Sequence, residues 1–117
     1  MVLRGSAELE KQTPDLEGII NRRISLGIRH GDTLLDFADA VLGDHEQRLK
    51  AARAQLVDAM GDVALVGAAA IIANFSRNDR LANACGIPLE KDFVEQGMDI
   101  VDALDLKRFS SSANSFA

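Results

Sequence analysis

The chain has 117 residues, one domain's worth, and 47% of them are hydrophobic, which fits a globular protein rather than a disordered one. A formal net charge of −5 argues against a basic nucleic-acid-binding surface. The apolar residues are mainly Ala, Leu, Ile and Val, with five Phe and neither Tyr nor Trp, a bias toward helix formers over strand formers.

A single cysteine, Cys85, rules out an intrachain disulfide and a multi-cysteine zinc site. Residues 1–11 are charged and lack the apolar stretch of a secretory signal. The longest uncharged apolar run, 63–73, falls well short of the ~20 residues that span a bilayer. Neither nucleic acid nor membrane is expected as a partner, and a reducing cytoplasm is the expected compartment. The whole chain reads as one helical domain, with an ordered helical core over 13–106 and flexible ends over 1–12 and 109–117.

Five helices follow from the spacing. The first opens at Thr13-Pro14, a hydroxyl cap before a proline, and carries Leu16, Ile19, Ile20 and Ile24 on one face up to Gly31. Asp32 caps the second, whose buried side is Leu34, Leu35, Ala38, Val41 and Leu42, and Gly43 ends it. Asp44 with Gln47 forms a capping-box pattern for the third, which turns Leu49, Ala52, Leu56, Val57 and Met60 inward. The fourth is capped by Asp62, runs over 63–85 and exits at Gly86 with Pro88 just beyond. The fifth, over 90–106, uses Phe93, Val94, Met98, Val101 and Leu104, with Gly97 weakening its middle. No segment alternates as a strand does. The fold class is therefore all-α: a small bundle of about five helices around a central apolar helix.

That central helix is apolar all round over 63–73, which calls for neighbours on every side. So short a chain has few helices with which to enclose it. A homo-oligomer, dimer or larger, would supply the missing wrapping, as would a separate partner subunit. A self-contained bundle is the competing arrangement.

Beyond Ala73 the helix turns polar. Asn74 and Asn78 share a face, and Arg77 and Arg80 are neighbours three residues apart. Asn74, Arg77, Asn78 and Arg80 form a candidate ligand-binding set, because guanidinium forks suit carboxylates and carbonyls. The structural reading is that the arginines pair with carboxylates to tie down helix ends or an oligomer contact. Arg80 in particular is expected to point into the bundle, paired with a carboxylate from Asp79, Glu90 or another chain.

Other chemistry is sparse. Cys85 falls at a helix C-terminus, where the dipole disfavours a thiolate, and reads as a buried packing residue. His30, at the end of the first helix, is a weak catalytic candidate beside Arg77 and Arg80, and its structural reading is a cation complementing the helix dipole. His45 reads as solvated, and neither imidazole has metal-ligand spacing. Asp32, Asp36 and Asp39 read as a solvated acidic face. Phosphate loops and nucleophile elbows are absent, so no cofactor and no metal is expected.

The stretch 61–89, with Ala73-Asn74-Phe75, Asn78, Arg80-Leu81-Ala82 and Gly86-Ile87-Pro88-Leu89, resembles the C-terminal part of the carboxymuconolactone decarboxylase and alkylhydroperoxidase D-like superfamily. A looser likeness extends back to Leu34-Leu35-Asp36-Phe37-Ala38. The resemblance implies an all-helical fold that assembles into dimers, trimers or hexamers. Peroxidase-type members use a Cys-x-x-Cys pair near a histidine, upstream of the matched stretch. This chain has no such pair. Two functions follow as expectations. One is a non-redox, vestigial or assembly member of the superfamily. The other is a small-molecule decarboxylase or isomerase-type enzyme with a polar inter-subunit pocket around Arg77 and Arg80.

Overall fold

The computed structural model describes residues 14–116. Thr13 and the segment 1–12 lie outside the described residues. Every regular element among the described residues is helical: α1 (Glu17–Ile20), α2 (Gly31–Leu42), α3 (Glu46–Met60), α4 (Asp62–Cys85), α5 (Lys91–Gln96), α6 (Met98–Ala103) and α7 (Ala113–Phe116), with 3-10 turns at Leu106–Arg108 and Ser110–Ser112.

The first helix is far shorter than its apolar spacing predicts. It ends at Ile20 because the polar residues that follow capture backbone donors locally. Asn21 Oδ1 accepts from the Arg23 N–H at 3.1 Å, and Ser25 Oγ accepts from the Gly27 N–H at 3.3 Å. The chain then doubles back, and the Asp15 N–H donates to the Leu26 carbonyl at 2.9 Å. His30 accordingly does not close a helix. It stands before α2 with φ 57°, at the positive end of that helix's dipole.

The expected aspartate caps do not form. The residues preceding α2, α3 and α4 are His30, His45 and Gly61, and none makes a side-chain cap hydrogen bond. Asp32 and Asp62 instead lie within the first turns, where a negative charge still complements the dipole. Gly61 permits the abrupt α3–α4 turn through φ 87°. At the far end of α4 the sequence reading holds. Gly86 takes the left-handed conformation, φ 64°, and the Ile87 N–H returns to the Ala82 carbonyl at 3.0 Å. The fifth helix breaks at Gly97 into α5 and α6.

The core lies where α2, α3 and α4 meet: Phe37 and Ala40 from α2 against Ala52 and Leu56 from α3. Leu65, Ala68, Ala69 and Ile72 of α4 close it while staying partly exposed. The buried face of α2 is thus rotated from the one its sequence suggests. Leu42 is exposed, whereas Phe37 and Ala40 are inside. The apolar arc of α2 is wider than one contact, and only its Leu34–Phe37–Val41 half meets α3. The C-terminal turns fold back beside the end of α4, where the Leu89 N–H donates to Ser115 Oγ at 2.8 Å.

The central helix is not wrapped. No residue of α4 is fully buried. Its outward side carries Val63 and Val66, 89% and 68% exposed, with Gly67, Ala70, Ala73 and Asn74 also open.

Candidate functional site

The polar segment of α4 splits into two unequal parts. Asn74, Arg77 and Asn78 form one hydrogen-bonded cluster. One guanidinium nitrogen of Arg77, Nη2, donates to Asn74 Oδ1 at 3.0 Å and to Asn78 Oδ1 at 3.3 Å, and Nε reaches Asn78 Oδ1 at 3.4 Å. The i to i+3 and i to i+1 spacing makes this possible on a regular helix. Arg80 is separate. It is exposed, and among the described residues no carboxylate pairs with it.

The expected arginine–carboxylate pairs are therefore absent within the described chain. Arg77 is engaged by neutral amides, and Arg80 is exposed at the rim of the space between the ends of α2 and α4. Both arginines border a shallow cavity of about 390 Å³ with Ser76, Val41 and Leu42. Arg80 also borders a second cavity, of about 470 Å³, with Ser76, Asp79 and Asn83. His30 lines neither of them, so the third weak catalytic candidate is not brought to the arginines.

Cys85 is exposed, the last residue of α4, rather than buried as a packing residue. The turns after Gly86 lie beside the helix end without covering it. His45 is solvated, with Nε2 3.8 Å from Asp44 Oδ1. Among the described residues no group of three or more His, Cys, Asp or Glu side chains could hold a metal ion.

The acidic residues of α2 are more than a solvated face. Arg22 reaches over from the doubled-back segment to Asp36 at 3.0 Å and Asp39 at 2.7 Å, with Arg48 of α3 also 3.9 Å from Asp39. All these groups are substantially exposed, so each contact is weak alone. Together they pin the segment 21–30 across α2. This positioning role has no local sequence signal, since Arg22 is 14 and 17 residues from its partners.

A further feature, illegible in the spacing, is the uncovered half of α2. Leu35, Ala38 and Leu42 face a trough along α4 instead of the core. No described helix is long and apolar enough to cross a membrane.

No family model, no curated protein and no solved structure matches this chain.

Proposed function

We propose that this chain is a non-redox, assembly-forming helical protein in which the outward face of α4 packs against α4 of a second copy. We further propose that it is a divergent relative of the carboxymuconolactone decarboxylase and alkylhydroperoxidase D-like superfamily, on the strength of the motif residues in 73–89. The observation that carries the assembly reading is the open apolar stripe Val63, Val66, Gly67, Ala70 and Ala73 on the longest helix. Burying one Val-sized side chain contributes roughly 1.5–3 kcal/mol, and leaving several in water has no benefit to a monomer.

The stripe is bounded by Val63 and Arg77, so Ala70 is its midpoint. A two-fold, antiparallel pairing of α4 with its copy would bring the two Ala70 residues together, and the small residues at 67, 70 and 73 allow close approach. The test is Ala70→Cys in a Cys85→Ser background. Oxidation is expected to give a cross-linked dimer rapidly, while an equivalent cysteine at exposed Lys50 on α3 remains uncross-linked. Equal cross-linking at both positions would defeat the reading.

One observation keeps the enzyme reading open as the second choice. The Arg77–Asn74–Asn78 cluster adjoins the end of the same stripe, so pairing through α4 would place it at an inter-subunit boundary. A decarboxylase or isomerase-type site there would lose turnover on Arg77→Leu without loss of assembly.

A further inference from the structure

Between α2 and α4 runs a trough that is apolar at one end and charged at the other. The apolar end is a cavity of about 350 Å³ walled by Ile19, Leu26, Ile28, Leu34, Leu35 and Ile71, without a charged group in its lining. Its outer wall is the doubled-back segment, and that wall is tightly packed. Leu26 is buried, and a side chain at Gly18 would sit 2.9 Å from the Ile24 carbonyl and the Leu26 N–H. The Arg22 pairs with Asp36 and Asp39 brace the same segment from above.

The cavity shares Ala38, Ile71 and Ile72 with the one that ends at Ser76, Asp79, Arg80 and Asn83, so the two form one continuous path. Ala68 and Arg80 mark its extremes along α4, twelve residues or about 18 Å apart. Arg80 stands at the charged end without an acidic partner among the described residues, while Arg77 is committed to Asn74 and Asn78.

We propose that this trough binds an amphipathic monocarboxylate free in solution, its hydrocarbon tail in the apolar cavity and its carboxylate on the Arg80 guanidinium. A cavity of this size suits a small-molecule ligand. A planar guanidinium matches a carboxylate with two parallel N–H donors. Asp79 at the same end sets the selectivity. Its charge is tolerable beside a single carboxylate held by Arg80, and it opposes a dianion such as a phosphate monoester or a dicarboxylate. Ser76 and Asn83 supply neutral hydrogen-bonding groups around the head. The trough lies on the flank of α4 away from the Val63–Ala70–Asn74 stripe. The proposal therefore does not rest on assembly, and each can fail alone.

The experiment is calorimetric titration of the full chain with decanoate, decylammonium and decanol. Decanoate is expected to bind saturably at one per chain, about tenfold tighter than decylammonium or decanol. Arg80→Gln removes that advantage and leaves decanol binding in place, whereas Asp79→Asn tightens decanoate. Ala38→Phe, which fills the middle of the trough, abolishes binding of all three. Unchanged helical content by circular dichroism confirms that each variant folds. Equal affinity for the three probes, an Arg80→Gln variant that binds decanoate as the parent does, or no binding at all overturns the proposal. So does binding that disappears as protein concentration rises, because a second copy then occupies the trough.

Discussion

Gly67→Ala separates an open helix face from one that meets another helix. Gly67 sits mid-helix in α4, and a Cβ placed there meets nothing within 4 Å. In the isolated chain the substitution is therefore free of steric cost. It replaces the weakest ordinary helix former by the strongest, a gain of about 0.8–1.0 kcal/mol. That gain raises the melting midpoint by a few degrees at concentrations where the chain is monomeric. In the proposed assembly the same methyl enters a close contact. Inserting a methyl group into a packed site costs typically about 1–3 kcal/mol, and a two-fold interface incurs it twice. Since each 1.4 kcal/mol is about a factor of ten, the dimer dissociation constant rises by at least that factor. The assay is sedimentation equilibrium for the dissociation constant, with thermal melting followed by circular dichroism on diluted protein. The expected result is opposite signs: a more stable chain and a weaker assembly. Unchanged self-association beside a raised melting midpoint would refute the α4 interface and leave the chain with another contact surface.

Three further outcomes follow from the same structure. Leu56, at 0% exposure, is the most enclosed large side chain of the core, so Leu56→Ala should cost about 2–5 kcal/mol in denaturant unfolding; a loss under about 1 kcal/mol would mean the α2–α3–α4 junction is not the core. Arg80→Leu should leave stability within about 0.5 kcal/mol of the parent, because no acidic partner among the described residues is stranded by it; a drop of several kcal/mol would reveal a carboxylate paired with it in the assembly. Cys85, the sole thiol of the chain, should support no thiol-dependent peroxide turnover; a robust rate abolished by Cys85→Ser would restore a redox function.

The sequence made the helical class, the α4 exit at Gly86-Pro88 and the break-prone Gly97 legible, because each depends on local chemistry. It also flagged 63–73 as a helix that asks for more cover than the chain holds. It misled where local and long-range effects compete. The apolar spacing at Ile19, Ile20 and Ile24 predicted a long first helix, but Asn21 and Ser25 captured backbone donors and turned the chain. The aspartates at Gly-Asp junctions looked like caps, yet the helices begin one or two residues away from the expected frame. On α2 the apolar arc spans both the core face and the trough face, and spacing alone assigned Leu42 inward and overlooked Phe37. The arginines were expected to find acids. Arg77 found amides three and one residues away, and Arg80, exposed, has no acidic partner among the described residues. The Arg22 brace needed the tertiary structure, as no sequence rule links residue 22 to Asp36 and Asp39.

The most direct test of the central claim is sedimentation equilibrium of the unaltered chain across nanomolar to high micromolar concentrations. Self-association through α4 predicts a mass of at least twice 12.6 kDa at micromolar concentration, falling toward 12.6 kDa on dilution. A mass fixed at 12.6 kDa throughout, with cooperative unfolding, would contradict it: the exposed α4 face would then be a stable monomer surface rather than an interface.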